Sequence, residues 1–190
     1  MCNPQHAREF MRQSEEWSRE WTRESLLGYL AEQGIAFEET IHGAVFTMAE
    51  SAALGVPLAG SRCKNLLVRD KKGAHRFLVV TGPDASIDLG ALGRVLGVGR
   101  LSLCPPEDMQ SILHVTPGAL SPLALVADAG LEKVRLLLDE SLRGNPRFLF
   151  HPLVNISTVA ISGGDLEKFV ESTGHSMEYV DMPARTRAAE

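Results

Sequence analysis

The chain has 190 residues, of which 44% are hydrophobic and 23% charged, and its formal net charge is −5. That composition suits one domain, or one domain with an extension, and supplies enough apolar mass for a real core. Net acidity excludes a protein that clings to nucleic acid over its whole surface, so any polyanion must be held by a local patch.

Cys2, Cys63 and Cys104 show no CxxC spacing, which argues against a disulfide framework or a zinc cluster and for a reducing compartment. Met1 to His6 lead into no apolar run of the secretory kind. No stretch approaches the ~20 apolar residues of a membrane span, and a cytoplasmic location is expected.

Residues 1–22 are polar and charged, with Trp17 and Trp21 four apart. If the segment is helical the two indoles share a face, as a helical extension lying on the domain or on a neighbouring subunit or, in the sharper reading, as a partner-binding arm. Leu26, Leu27, Leu30 and Ala31 then recur at helical spacing until Gly34 stops the helix. Ile35 to Ile41 reads as a strand, His42 to Phe46 as a loop, and Thr47 to Glu50 as a capping box opening a short helix through Leu54.

After Gly55 to Gly60 comes a hairpin. Its first strand starts at Lys64, it turns at Asp70-Lys71-Lys72-Gly73, and it returns from Arg76 to Val80. Asp88 can cap a helix to Leu96, Leu101 to Leu103 is a short strand, and Pro105 to Asp108 opens another helix with proline and acids at its positive end. Val115 to Pro122 is a constrained loop, followed by expected strands at Leu123 to Ala127 and Lys133 to Asp139. Arg147 to Phe150 leads into His151-Pro152-Leu153-Val154-Asn155. A strand at Thr158 to Ser162, a helix capped by Ser162 and ended by Gly174, a last strand from Met177 to Val180 and a frayed tail complete the chain. Strands outnumber helices without βαβα alternation, so the expected class is α+β with a curled mixed β-sheet.

The histidines show no ligand spacing with one another or with cysteine, so a metal site is not expected. Gly90, Gly93, Gly97 and Gly99 do not spell a dinucleotide fingerprint, and helix packing with a glycine cap at Gly97 accounts for most of them. Cys63 lies between Arg62 and Lys64, which could lower a thiol pKa, but a small buried cysteine before a strand is the commoner case. Strand alternation places Lys64 with Leu66 and Val68, and Asn65 with Leu67 and Arg69 on the other face. A lysine at the rim of an apolar face suits a phosphate or carboxylate, or it simply snorkels. Arg69, Lys71, Lys72, His75 and Arg76 extend a basic ridge that a nucleic-acid backbone could follow, unless it is only a solvated turn. His151 is held extended by Pro152, and with Asn155 it can line a groove, either in acid–base work or in positioning a substrate.

Five segments, in order, resemble the YbaK-type aminoacyl-tRNA editing domain. They are Val45-Phe46-Thr47; Cys63 to Gly73; Leu96 to Ser102; Val115-Thr116-Pro117-Gly118 with Pro122; and His151 to Asn155. The resemblance spans about residues 23 to 182 and is nearest the freestanding bacterial branch that deacylates alanyl-tRNA(Pro), relatives of the prolyl-tRNA synthetase insertion domain. It implies a barrel-like curled sheet flanked by helices, no metal or cofactor, and hydrolysis of the ester joining a mischarged amino acid to the tRNA 3′-terminal adenosine, with a substrate hydroxyl helping to activate water.

By the same resemblance Lys64 holds the terminal phosphate, the Gly118 to Pro122 loop offers backbone groups to the scissile carbonyl, and His151 shapes the aminoacyl pocket. Val45, Phe46, Pro122, Asp139 and Asn155 line or support that pocket. Arg69 and Arg100 are similar to positions that read the acceptor stem, with Lys71 and Lys72 beside them. The implied partner is the acceptor end of aminoacylated tRNA(Pro), with prolyl-tRNA synthetase or an elongation factor met transiently, and neither DNA nor membrane. The expected organisation is an extension at 1–22, the editing domain at 23–182 and a flexible tail at 183–190.

Gly43-Ala44 after His42, Arg62-Cys63 before Lys64 and Leu123 after Pro122 depart from the family pattern and bear on the amino acid removed. Alanine is favoured, with serine, cysteine and 2-aminobutyrate as alternatives. A non-catalytic module sensing tRNA or an amino acid on the same fold is the other reading, and a thiol enzyme using Cys63 is a distant third.

Overall fold

The computed structural model describes residues 21–45, 48–53 and 55–185. Trp17 therefore lies outside the described residues, as do Phe46, Thr47 and 186–190. Helix α1 (Arg23–Glu32) starts at Thr22, whose side chain accepts from the Ser25 amide in a capping box. Leu26 and Leu30 are its buried face. Trp21 is buried edge-on against Tyr29, with ring centroids 5.6 Å apart. This indole is part of the core, whereas residues 1–20 of the expected extension lie outside the described residues.

Strand β1 (Phe37–Ile41), helix α2 (Met48–Ala53) and strand β2 (Ser61–Arg62) precede the hairpin β3 (Lys64–Asp70) and β4 (Arg76–Thr81). There follow α3 (Leu89–Val95), β5 (Leu101–Leu103), α4 (Pro106–Leu113), β6 (Arg135–Asp139), β7 (Arg147–Phe150), β8 (Ser157–Ser162), α5 (Gly163–Ser172) and β9 (Met177–Val180). The caps expected at Asp88 and Ser162 are made, accepting from the amides of Ala91 and Asp165. A Cβ on Gly93 would stand 2.4 Å from the Gly99 carbonyl oxygen, so close packing of α3 on the chain after it requires glycine there.

The strands form a four-stranded sheet, β1-β8-β7-β2, and a five-stranded sheet, β5-β3-β4-β6-β9. In the second sheet the hairpin is antiparallel, whereas β4, β6 and β9 run parallel. The fold is α+β with mixed sheets. The two sheets are separate and unclosed, so the expected barrel-like closure is not what the chain adopts. Both sheets contribute to the main core, with Leu67, Leu78 and Val80 from one and Phe148, Phe150, Val159 and Ile161 from the other. Val68, Phe77, Val79 and Leu137 point the opposite way, into a smaller cluster with Leu92 of α3. Alternation along β3 is thus as expected: odd-numbered residues face the main core and even-numbered ones face α3.

Leu123 to Ala127 is not a strand. Pro122–Asp128 is a 3-10 helix with every residue buried. A short apolar run enclosed on all sides carries no alternation to reveal its conformation, and Pro122 at its first position favours a helical start. Within the tail that was expected to fray, Pro183 to Arg185 is held. Asp88 N–H donates to the Pro183 carbonyl at 2.8 Å, Ala184 bridges Ile87, and Arg185 N–H donates to the Ser86 carbonyl at 2.8 Å.

Candidate active site

Thr116-Pro117-Gly118-Ala119 is a tight turn in which Ala119 N–H donates to the Thr116 carbonyl at 3.0 Å and Gly118 has φ +93°. Proline second and a positive-φ glycine third is the signature of a type II turn. Among the described residues the Gly118 N–H has no acceptor. Two side chains fix the loop after the turn. Asn65 Nδ2 donates to the Leu120 carbonyl at 3.0 Å, and Ser121 Oγ donates to the His151 carbonyl at 2.7 Å. The start of β3, the Gly118–Pro122 loop and the His151 segment, far apart in sequence, are thereby tied together. Pro122 is buried as the first residue of the 3-10 helix.

His151 Nδ1 lies 2.7 Å from the Ser157 carbonyl. A carbonyl only accepts, so Nδ1 carries the hydrogen and Nε2 keeps the lone pair in the neutral ring. Burial holds the imidazole below its ordinary pKa of 6.5, reinforced by nearby His42 and opposed by the Ser157 bond. His42 stands 5.8 Å away between ring centroids, its Nδ1 against the Gly43 carbonyl and its Nε2 2.8 Å from Thr158 Oγ1.

Behind His151, Ser157 Oγ donates to Glu39, which receives two 2.6 Å bonds from the Arg23 guanidinium. Burial works to raise the Glu39 pKa, but the Arg23 and Ser157 bonds outweigh it and hold the carboxyl low. Helix α1 is thus coupled through Glu39 and Ser157 to the carbonyl that sets the His151 tautomer. Asn155 Nδ2 donates to the Val45 carbonyl at 3.0 Å while Val45 N–H donates to the Asn155 carbonyl at 3.0 Å. Asn155 therefore pins the Val45 loop rather than extending a free amide.

Because the folded state favours neutral His151, it binds fewer protons than the unfolded chain near pH 6.5. This contribution to stability is complete above pH 6.5 and is lost as pH falls below it towards the depressed folded value. Urea unfolding at pH 7.5 and pH 5.5 is expected to show a loss of stability on acidification that is smaller in His151→Gln.

Lys64 leaves the sheet on the face opposite Asn65, and its Nζ donates to the Ala85 carbonyl at 2.6 Å. Lys64 pairs with Thr81 across the hairpin, and Thr81 Oγ1 donates to Asp139 at 3.3 Å. Asp139 also accepts from the Ser141 amide at 2.9 Å. The structure thus places Lys64 and Asp139 at one end of the second sheet, beside the 82–85 loop, whereas Gly118 and His151 are tied to Asn65. Cys63 is buried in the main core and its thiol is pushed up to about 12 by burial. A thiol held protonated is no nucleophile at neutral pH.

Arg69 pairs with Asp108 at 2.7 Å. Arg69, Lys71 and Arg100 line one open groove of about 860 Å³, whereas Lys72 is an exposed residue of the hairpin turn. Among the described residues no group of three His, Cys, Asp or Glu could hold a metal ion, and no helix is long and apolar enough to cross a membrane.

Sequence reading missed Ser121, Ser157, Glu39 and Arg23. Their partners lie 16 to 118 residues away or are reached through the backbone. Asn65 lies inside the Cys63 to Gly73 segment, and its position beside Lys64 was the available signal.

An aminoacyl-tRNA editing domain model matches residues 42–169. The chain is 31% identical over 160 residues to the prolyl-tRNA editing protein ProX of Acetoanaerobium sticklandii, covering 84% of this chain and 97% of that protein. It is 36% identical to the mouse prolyl-tRNA synthetase associated domain-containing protein 1, covering 80% and 89%. The crystal structure of a candidate trans-editing enzyme for prolyl tRNA synthetase superposes with a TM-score of 0.65 at 20% identity, covering 86% and 97%, a likeness of fold. By both the matched span and these relatives, the chain belongs to the aminoacyl-tRNA editing domain family.

Proposed function

We propose that this chain is a trans-editing aminoacyl-tRNA deacylase, with residues 23–182 as the editing unit. It hydrolyses the ester of mischarged tRNA(Pro), chiefly Ala-tRNA(Pro), and spares Pro-tRNA(Pro). The observation that carries the reading is the tie of Asn65, the Gly118–Pro122 loop and His151 through the Asn65–Leu120 and Ser121–His151 bonds. ProX and the mouse relative, named for prolyl-tRNA editing and association with prolyl-tRNA synthetase, supply the substrate class.

In this mechanism the ester carbonyl lies over the turn, and the Gly118 N–H donates to the oxyanion that forms as water adds. Preorganised donors of this kind act on charge that develops only in the transition state. The proton that water gives up as it adds passes to the ribose oxygen as the intermediate collapses, which breaks the ester C–O bond and releases the amino acid and the terminal ribose hydroxyl. Neutral His151 offers Nε2 as an acceptor to the substrate's ammonium or to the attacking water, with Val45 and Asn155 walling the pocket. Lys64 exchanges the Ala85 carbonyl for the terminal phosphate, a stronger, charge-assisted partner. No triad is needed, because positioning and electrostatics supply the rate.

Selecting against proline in this second site answers a physical limit. A synthetase pocket that accepts proline rejects a smaller side chain by only about 1–3 kcal/mol per missing methylene, whereas a site too small for proline excludes it by clash. Incubation with Ala-tRNA(Pro) and Pro-tRNA(Pro) is expected to release alanine and leave the prolyl ester intact. No loss of alanyl ester, or equal loss of both, overturns the reading. Seryl, cysteinyl and 2-aminobutyryl esters on the same tRNA define how wide the sieve is.

A further inference from the structure

We propose that Arg185, on the docked C-terminal segment, completes a groove that binds the phosphodiester backbone of the tRNA acceptor arm upstream of the terminal nucleotide. The groove, about 860 Å³, is lined by Arg69 and Lys71 from the hairpin, Arg100 from the approach to β5, and Arg185. Four cations thus arrive from three separate parts of the chain. Arg185 lies beyond the residues 42–169 matched by the family model.

Arg185 is built into place. Its N–H donates to the Ser86 carbonyl at 2.8 Å, Ala184 bridges Ile87, and the Pro183 carbonyl accepts from Asp88 N–H. Asp70 and Asp88 also line the groove, but each is turned towards the backbone. Asp70 accepts from His75 N–H at 3.1 Å, and Asp88 accepts from Ala91 N–H at 2.9 Å. Both carboxyls are held low, Asp70 first by the His75 amide and Asp88 first by the Ala91 amide, with Arg94 and Arg185 adding to the effect on Asp88. Arg69 is shared with Asp108. Both carboxylates stay ionised, and the four lining cations outnumber them on an acidic protein.

An extended polyanion fits better than a single phosphate, for two geometric reasons. The four lining cations come from three separate parts of the chain, the hairpin, the approach to β5 and the C-terminal segment. The segment that anchors Arg185 also meets Lys64, whose ammonium is bonded to the Ala85 carbonyl while the Arg185 N–H is bonded to that of the adjacent Ser86. From Lys64 to Asp70, β3 spans about 20 Å, farther than one nucleotide reaches. Arginine's planar fork suits phosphate oxygens, and such contacts position an RNA without reading its sequence.

The inference rests on the tRNA reading above, so its test uses uncharged tRNA(Pro) and does not depend on ester cleavage. Binding is measured over a series of salt concentrations for the wild-type chain, Arg185→Gln, Arg100→Gln with Arg185→Gln, and Lys133→Gln. Lys133 is exposed and does not line the groove. Losing one phosphate contact is expected to weaken binding about five-fold at 0.15 M salt and to flatten the log–log salt slope by about 0.7–0.9. The double variant is expected to lose roughly 25-fold and twice the slope, while Lys133→Gln stays within about two-fold. These shifts support the groove even if the chain releases no amino acid, an outcome that would sink the deacylase reading alone. Unchanged affinity and slope in Arg185→Gln, or an equal change in Lys133→Gln, overturns the groove.

Discussion

Lys64→Ala is expected to cut deacylation of Ala-tRNA(Pro) about 10²-fold or more while leaving the chain folded. The size of the loss follows from what the lysine is proposed to do. A charge-assisted bond to the terminal phosphate holds the ester in register with the Gly118 turn, and misplacement by about 1 Å can cost that factor. The structural loss is smaller. Removing the ammonium frees the Ala85 carbonyl, and a bond to a charged group is worth at most about 1.5–3 kcal/mol before discounting for the half-exposed side chain. Thermal unfolding is therefore expected to fall by only a few degrees. Near-wild-type turnover in Lys64→Ala removes the lysine from the reaction. A collapsed thermal transition makes it a structural residue instead.

Gly118→Ala tests the other half of the site. At φ +93° an alanine is strained, and relief by rotating the 117–118 peptide would swing the Gly118 N–H away from the oxyanion it is proposed to meet. Loss of one such donor costs about 10²–10³ in kcat. The expected signature is a fall in kcat with little change in tRNA affinity, accompanied by a destabilisation of about 1 kcal/mol or more. A variant that is destabilised yet keeps wild-type kcat would show that the turn serves only to shape the loop.

Much of the architecture was legible because it is written in local chemistry. Asp88 and Ser162 cap helices, Gly97 and Gly174 end them at positive φ, and Asp70-Lys71-Lys72-Gly73 turns the hairpin. Period-two alternation along β3 correctly split Leu67 from Val68 between two cores. The same logic failed at Leu123 to Ala127, where burial on every side erased the alternation and a 3-10 helix formed. It also missed Pro183 to Arg185, since pairing with 86–88 bridges almost a hundred residues and leaves no local mark.

The family and most of the elements are legible from the residues alone, because motifs and caps depend on neighbours a few positions apart. Tertiary structure alone decided which motifs meet. Asn65 and Ser121 join the Gly118 loop to His151, Arg23 and Glu39 stand behind Ser157, and Lys64 turns away towards Ala85. Such bonds depend on how two sheets and their loops pack over long separations, and one residue's spacing from the next does not encode them.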